Sequence, residues 1–214
     1  MRSQRRLVRP NIQEEGLPLV RHYAFEETSG TQFFDVNGVN KLTLYAGNIS
    51  TLTTTDSISG NAIKFTSQGT YPGENYSSDF TFRDGNGNKP FDIEYYVKDL
   101  IGSSFRSFVQ LREGGSNYVV HCYVYQNVFR FYIYKQDGTH FGILATYPVN
   151  YSGYSKYLFR YVPGIQPQII IDGIIQVPTG VIGTEGNIKI TTPKLWIGGL
   201  EREGYMDEFK LRIG

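Results

Sequence analysis

Two carboxylates stand two residues apart in the segment FDIEYYVK, at Asp92 and Glu94. On a β-strand these positions share one face, so the pair would present two acids to one surface. Retaining glycoside hydrolysis needs an acid and a nucleophile about 5–5.5 Å apart, and this spacing can supply such a pair. The segment lacks a third carboxylate on the same face of the strand, and its apolar residues alternate with the two acids. We therefore predict the solvated outer face of a strand here, without catalytic residues.

The three histidines, His22, His121 and His140, form no His-x-His or His-x-x-x-His pair. His121 precedes the single cysteine, Cys122, but neighbours on a strand point to opposite faces. This pattern predicts a buried thiol beside an outward imidazole instead of a catalytic dyad. One cysteine also excludes an internal disulfide and a zinc site built from several cysteines. Since no nucleophile elbow, phosphate loop or dinucleotide fingerprint is present, we expect no enzyme.

Aromatic, amide and acidic side chains gather in two segments that we predict to be loops, TYPGENYSS and YPVNYSGYSKY. An aromatic ring can stack on the apolar face of a pyranose while amides and carboxylates bind its hydroxyl groups. Loop tyrosines also serve protein interfaces, so glycan binding, protein contact and neither role stay open. The candidates are Tyr71, Glu74, Asn75 and Tyr76 in the first segment and Asn150, Tyr151 and Tyr154 in the second.

The composition narrows the class of protein that must position these residues. Of 214 residues, 40% are hydrophobic and 19% charged, which suits a folded core and not a coiled coil or a disordered chain. The formal net charge of +1 gives no overall field that attracts nucleic acid or a membrane surface. No apolar run approaches the roughly 18 residues of a membrane span. The length fits one large β domain or at most two small ones.

Strand signals dominate the chain. Strands flank Gln126-Asn127, Asp137-Gly138 and Asp172-Gly173, dipeptides that are typical of tight hairpin turns. No window of eleven or more residues has apolar groups at helical spacing, and no internal repeat is present. We interpret the glycine- and asparagine-rich segment 83–90 as a surface loop within one domain. Short strands without helices predict a two-sheet sandwich or jelly roll.

Five segments in order resemble motifs of the laminin-G-like family of concanavalin A-like lectin and glucanase jelly rolls. The resemblance implies an all-β, two-sheet antiparallel jelly-roll sandwich over residues 17–214, with the first and last strands adjacent. The segments are YAFEETSGTQFFDVNG (23–38), SGNAIKF (59–65), FDIEYYVK (91–98), IIIDGIIQ (169–176) and LWIGGLEREGYMDEFKLRIG (195–214).

The same resemblance implies a structural calcium ion, which laminin-G-like domains often hold near the sheet rim through carboxylate and carbonyl oxygens. Asp207 matches the family's closing Asp, and Glu26 lies in the opening strand beside it, so these two are the metal candidates. Asp35 matches the Asp of an early turn, but Val-Asn-Gly follows it where Ser-Gly-Asn is usual, which argues against a metal there. For all three we favour the alternative, a structural hydrogen-bonding role.

The first sixteen residues differ in character from the rest. No apolar stretch follows their arginines, so we expect no secretion signal. With three sizeable apolar side chains the segment cannot fold on its own contacts. We predict an extended basic arm, residues 1–16, that pairs with a neighbouring subunit; a frayed, solvated tail is the alternative. The arm carries Arg2, Arg5, Arg6 and Arg9 beside Leu7, Val8 and Ile12.

An extracellular type of jelly roll without a secretion signal suits a virion protein, which assembles inside the host cell and acts outside it. We therefore expect a non-enzymatic structural or accessory virion protein of a bacteriophage, with a jelly roll that binds host glycans. Its partners would be other virion subunits, or a homo-oligomer, through the arm, without a membrane. The alternatives are a cellular, extracellular carbohydrate-binding module or lectin, a glycoside hydrolase, and a shell protein whose arm binds nucleic acid.

Overall fold

The computed structural model describes residues 16–44, 53–65, 72–99, 105–148, 153–198 and 204–214. The basic arm up to residue 15 and the candidates Tyr71, Asn150 and Tyr151 lie outside these ranges. The described residues form strands and turns without a helix, so none of their elements is a helix that could cross a membrane. The strands are β1 Leu19–Tyr23, β2 Gln32–Phe34, β3 Lys41–Leu44, β4 Thr53–Thr54, β5 Ala62–Phe65, β6 Pro72–Gly73, β7 Arg83–Asp84, β8 Gly87–Asn88, β9 Phe91–Asp99, β10 Phe105–Arg112, β11 Tyr118–Tyr125, β12 Val128–Tyr134, β13 His140–Thr146, β14 Ser155–Val162, β15 Ile165–Ile171, β16 Ile174–Ile175, β17 Gly180–Ile182, β18 Lys194–Ile197 and β19 Gly204–Ile213.

Two antiparallel sheets form the predicted jelly-roll sandwich. Sheet A has the order β16-β15-β14-β9-β19-β5-β4, and β1 also pairs with β19. Sheet B has the order β17-β13-β12-β11-β10-β18-β6-β3-β2, and β7 and β8 form a separate hairpin. The predicted adjacency of the first and last strands is confirmed, with Tyr23 of β1 opposite Phe209 of β19.

The predicted hairpin turns are present. Gln126 and Asn127, between β11 and β12, have φ angles of 51° and 60°. Asp172 and Gly173, between β15 and β16, have φ angles of 50° and 82°. Two successive positive φ angles are the signature of the type I′ turn, whose twist matches that of the flanking strands. These turns set the register of strand pairs that contribute to both sheets.

Aromatic rings fill the space between the sheets. Phe91, Ile93, Tyr95 and Val97 of β9 are buried there, as the alternation of β9 predicts. The Tyr95 ring stacks 5.6 Å from the ring of Phe108, which belongs to sheet B. Contacts of this kind add about 0.5–1.5 kcal/mol each beyond area burial. The inward positions thus account for the folding of the sandwich, and the outward positions are free for function.

Strands β12 and β13 approach closely at Gly142. A Cβ atom at this position would lie 1.9 Å from the carbonyl oxygen of Phe131. We expect Gly142→Ala to force the strands apart and to lower the free energy of unfolding by about 1–3 kcal/mol in urea denaturation. Gly114→Ala is the matched control, since nothing lies within 4 Å of its Cβ position. Equal effects of the two substitutions would contradict this account of the β12–β13 contact.

Candidate binding surface

Tyr76 and Tyr154, one from each tyrosine-rich segment, lie at opposite ends of the sandwich. The end of β9 and the start of β10 are joined by a short connection and therefore lie at one end. Tyr154 is at this end, because its hydroxyl donates to the carbonyl of Asp56, 2.5 Å away, and Asp56 also pairs with Lys98 near the end of β9. The Tyr76 hydroxyl donates to the carbonyl of Glu113, 2.5 Å away and just beyond the other end of β10. The two segments do not form one site.

Glu74 is an interior residue, which corrects its assignment to a binding loop. Its carboxylate is 7% exposed and accepts hydrogen bonds from the Arg21 guanidinium at 2.6–2.9 Å and from the Tyr23 hydroxyl at 2.6 Å. Burial, together with the Glu74 charge, raises the pKa of Tyr23 well above its ordinary value. Glu74 is therefore engaged in holding β1 against the segment that follows β6.

Tyr76 and Asn75 do lie on the surface, as predicted. The Tyr76 side chain is 54% exposed, and the Lys194 ammonium lies 4.4 Å from the centroid of its ring. The Tyr154 ring is partly buried, and burial raises the pKa of its hydroxyl. Tyr76 therefore stays a ligand candidate, whereas the hydroxyl of Tyr154 links two loops of the protein itself.

The two calcium candidates both accept hydrogen bonds from the segment 58–61. Asp207 is fully buried, and its Oδ2 accepts from the backbone N–H groups of Ile58 and Ser59 at 2.8 and 3.2 Å. Burial raises the pKa of its carboxyl group. Glu26 Oε2 accepts from the N–H group of Asn61 at 3.2 Å. Both carboxylates thus have the structural role that we favoured for them.

Asp35 also acts within a turn. It accepts from the N–H groups of Val39 and Asn40 at 3.0 and 3.2 Å, and these bonds, with one from the Asn40 side chain, outweigh burial and lower the pKa of Asp35. No group of three or more His, Cys, Asp or Glu side chains converges in the ranges given above. Calcium binding at Glu26 and Asp207 stays a prediction.

The carboxylate pair of β9 faces outward but is not solvated, which corrects the sequence-based interpretation. Asp92 and Glu94 are 7% and 8% exposed. Arg160 donates two bonds to Asp92, at 3.0 and 2.9 Å, and Lys156 lies 3.1 Å from Glu94. Long cationic side chains from β14 therefore cover both acids. Each acid is therefore engaged in an ion pair with a cation of the neighbouring strand.

The outer face of sheet B carries a cluster of rings that the sequence analysis did not single out. The register places His121 of β11 opposite Gln110 of β10 and Tyr132 of β12, in one row across the sheet. Gly142 of β13 continues this row beyond Tyr132, and Trp196 of β18 precedes Gln110. We call this surface the aromatic face and define it by Tyr118, His121, Tyr123, Tyr132, Tyr134 and His140.

The rings of the aromatic face stack on each other. His121 lies between Tyr118 and Tyr123, with centroid distances of 4.4 and 4.3 Å. His140 lies 4.5 Å from Tyr132 and 5.2 Å from Tyr134. Tyr118, Tyr123, Tyr134 and His140 are partly exposed, while His121 and Tyr132 are buried among them. The cluster is therefore rigid and reaches the surface through its outer rings.

His121 is the outward imidazole that the sequence predicted, but it is buried among the neighbouring rings. It does face away from the core, whereas Cys122 is fully buried on the other face, as expected. The His121 ring is 6% exposed, and its Nε2 lies 3.0 Å from the hydroxyl oxygen of Ser107. Burial lowers the pKa of His121 to about 3. The stack is therefore held together around a neutral imidazole.

Cations lie on the rings of sheet B. The Arg130 guanidinium is 5.8 Å from the Tyr123 ring and 5.3 Å from the Tyr125 ring, and Arg112 lies 5.0 Å from the Trp196 ring. Such contacts give about 0.5–1 kcal/mol at exposed sites and leave the cation free to bind further partners.

Gly73 of β6 makes room for the Trp196 ring. The two residues are opposite each other in the sheet, and a Cβ atom at Gly73 would lie 2.7 Å from the indole. The indole is thereby seated over the backbone of the neighbouring strand, partly exposed, at the margin of the aromatic face.

The sequence contained one signal for this surface. His121, Tyr123 and Tyr125 alternate along β11, and Arg130, Tyr132 and Tyr134 alternate along β12. Counting aromatic and cationic residues at every second position on both sides of the Gln-Asn turn would have indicated one ring-rich outer face. Trp196 could not have been added, because its place depends on pairing between strands far apart in the chain.

No protein-family model matches the chain, and no curated protein is similar to it in sequence. Solved structures do resemble it. The receptor-binding domain of botulinum neurotoxin mosaic serotype C/D superposes with a TM-score of 0.67 at 10% identity, over 91% of this chain and 47% of that one. The type G neurotoxin domain gives 0.62 at 10% identity, over 91% and 47%. A Trypanosoma rangeli sialidase gives 0.58 at 12% identity, over 92% and 30%.

The chain thus spans about half the length of the neurotoxin domains and under a third of the sialidase chain. At these identities the likeness shows the fold alone: a jelly-roll sandwich. The site must be argued from the residues of this chain.

The neutral imidazole of His121 makes stability depend on pH. Its pKa in the folded state lies below the ordinary value of 6.5, so the unfolded chain takes up the proton first as the pH falls. The stability it contributes is complete above that value and is lost below it. We expect this group alone to lower the free energy of unfolding by about 2 kcal/mol between pH 7 and pH 5.

The measurement compares urea denaturation of the wild type and His121→Gln at both pH values, since the amide of Gln can keep a bond to Ser107. The difference between the two proteins should shrink as the pH falls. Parallel pH profiles would show that His121 is not held neutral by the stack.

Proposed function

We propose that this chain is a non-enzymatic carbohydrate-binding jelly roll and that the aromatic face of sheet B is its binding surface. The observation that carries the proposal is the continuous row of Trp196, Gln110, His121 and Tyr132 across four strands of one sheet. Aromatic rings beside amide and hydroxyl groups are the side chains that hold a pyranose, through its apolar face and its hydroxyl groups.

The surface is organised before a ligand arrives. Because the rings stack on each other and stand on paired strands, little side-chain entropy remains to be lost on binding. Burial raises the pKa of Tyr134 to about 12, so its hydroxyl stays protonated and can donate a hydrogen bond. The buried Oε1 of Gln110 has no hydrogen-bond partner within the described part of the chain. A sugar hydroxyl could supply the missing donor.

Two findings support binding without catalysis. Asp92 and Glu94 are the period-two acid pair of the sequence, and both are engaged with cations on sheet A, away from the aromatic face. The neurotoxin structures that resemble the chain are receptor-binding domains. The sialidase structure, a complex with 2,3-difluoro-KDN, belongs to an enzyme that acts on sugars, and so it supports the ligand class while leaving catalysis to be tested.

We further propose, from the sequence, that the domain belongs to a bacteriophage virion and displays its sugar-binding surface to the host. The supporting features are the basic arm of residues 1–16 and the low charge of a glycine- and tyrosine-rich chain. An extracellular or cell-surface lectin is the alternative and would use the same aromatic face.

The aromatic face is tested by removing single rings. We expect Tyr134→Ala and Tyr123→Ala to weaken glycan binding by about 1–3 kcal/mol, because each loses a stacking surface. Tyr96→Ala is the control, since Tyr96 is a partly exposed tyrosine on the outer face of sheet A with Lys156 near its ring. Affinities are measured by calorimetry with the strongest glycan from an array, after thermal unfolding shows that each variant is folded.

Two outcomes would overturn the proposal. An array without any bound glycan at high protein concentration would leave the tyrosines as a protein-contact surface. Release of reducing sugar from the bound glycan, abolished by Glu94→Gln, would make the protein a glycosidase.

The arm is tested by amide hydrogen exchange on the full chain. We expect residues 2–12 to exchange fast in a dilute monomer and slowly in the assembled particle, because the arm has too few apolar groups to dock on its own domain. Slow exchange in the monomer would refute the assembly role.

A further inference from the structure

A polar groove opens at the end of the sandwich that carries Tyr76. It runs between segments 78–83 and 189–192, with Glu113 at its margin, and encloses about 350 Å³. Its walls carry the hydroxyl groups of Ser78, Thr81, Thr191 and Thr192. Phe82 and Ile190 also line it, so the groove offers hydroxyl and charged groups beside apolar surface, which suits a sugar-sized ligand.

Two of the residues that line the groove have a buried polar atom without a partner among the described residues. Arg83 Nε and Thr191 Oγ1 are both shielded from solvent, and neither forms a hydrogen bond with a described residue. The Arg83 side chain makes no hydrogen bond or ion pair with any described residue. An unsatisfied buried donor is unfavourable, so a ligand that accepts a hydrogen bond from it is favoured on binding.

The cations around the groove also lack carboxylate partners among the described residues. Arg83 and Lys189 line it, and in that part of the chain the Lys189 ammonium donates to the side-chain oxygen of Asn117 alone. Lys194 lies on the Tyr76 ring beside the groove. Glu113 is the one acid among the lining residues, and it accepts from the Asn117 amide at 2.6 Å.

Several other cations of the described ranges are paired with carboxylates. Arg21 binds Glu74, Arg160 binds Asp92 and Lys98 binds Asp56. The region of the groove therefore has a local excess of positive charge that the protein does not neutralise itself. A planar guanidinium with free donors matches a carboxylate or a sulfate, which it can bind through two parallel hydrogen bonds.

The groove adjoins the aromatic face. The backbone N–H group of Lys189 donates to the carbonyl of Tyr134 at 3.0 Å, and Asn117 directly precedes Tyr118. A saccharide lying on Tyr118 and Tyr134 would thus bring a neighbouring residue of the same chain of sugars to Arg83.

From this juxtaposition we propose that the groove binds the acidic group of a saccharide, carboxylate or sulfate, with Arg83 as its main ligand and Lys189 as the second cation. The inference rests on the proposed carbohydrate-binding function and names its ligand class: an acidic polysaccharide whose sugar rings lie on the aromatic face.

The test measures binding of the full chain to four probes: hyaluronan, which carries carboxylates, chondroitin sulfate, which also carries sulfates, a neutral oligosaccharide from the array, and inorganic sulfate. We expect at least one acidic polymer to bind about tenfold more tightly than the neutral probe, by an amount that falls with salt. Comparison of hyaluronan with chondroitin sulfate shows whether the groove prefers a carboxylate or a sulfate.

Arg83→Gln should remove that advantage and leave binding of the neutral probe unchanged, and Arg83→Lys should retain part of it, because a lysine keeps the charge but not the paired donors. Lys189→Gln should act in the same direction, which keeps the test decisive if one variant folds poorly. Lys41→Gln removes an equal charge from an exposed site on β3 and should have no effect.

Failure of the groove assignment can be distinguished from failure of the proposed carbohydrate-binding function. If neutral glycans bind and Tyr134→Ala weakens them, but acidic polymers show no advantage that depends on Arg83, the groove assignment is wrong and the proposed function stands. If no probe binds, both fail. Binding of inorganic sulfate as tight as that of the polymers, lost in Arg83→Gln, would assign the groove to a free anion and refute the saccharide.

Discussion

The buried ion pair between Arg21 and Glu74 joins the two sheets at the end where the Arg83 groove lies. Arg21 belongs to β1 in sheet A, and Glu74 directly follows β6 in sheet B. Breaking such a pair by removing one partner leaves an uncompensated buried charge, at a cost of about 3–5 kcal/mol. Arg21 also donates to Ser77 and Asp79, so the one guanidinium anchors the segment between Tyr76 and Arg83. The groove wall therefore depends on a strand of the opposite sheet.

Because side chains alternate along β11 and β12, sheet B carries aromatic rings on its inner side as well as on the aromatic face, and the two sets differ in chemistry. Phe129 and Phe131 point inward and pack in a dry core, whereas Arg130 and Tyr132 point outward. The inward rings make edge contacts that stabilise the sandwich. The outward rings stack on each other with hydroxyl, imidazole and amide groups among them. The same two strands thus provide both the stability and the proposed binding surface.

The sequence predicted those elements that are determined by residues adjacent in the chain. The Gln126-Asn127 and Asp172-Gly173 turns follow from the backbone angles that those residues tolerate, and the resemblance placed the closing strand beside the first. The sequence did not predict that Tyr76 and Tyr154 lie at opposite ends of the sandwich, because their positions depend on how the two sheets are connected. Glu74 was misplaced for a similar reason. A carboxylate among Asn and Tyr looks like a surface residue until its partner, 53 positions earlier, is known.

Cationic side chains have different partners on the outer faces of the two sheets. This difference indicates which face would bind an acidic ligand. On sheet A, Glu94 lies near both Lys156 and Arg212, and Asp92 binds Arg160, so the cations there have carboxylate partners within the protein. On sheet B, Arg112 and Arg130 lie on aromatic rings, which attract a cation without neutralising it. An acidic ligand therefore finds paired charges on sheet A and unpaired ones on sheet B. The aromatic face and the Arg83 groove lie on the side where the protein has left its positive charge unmatched.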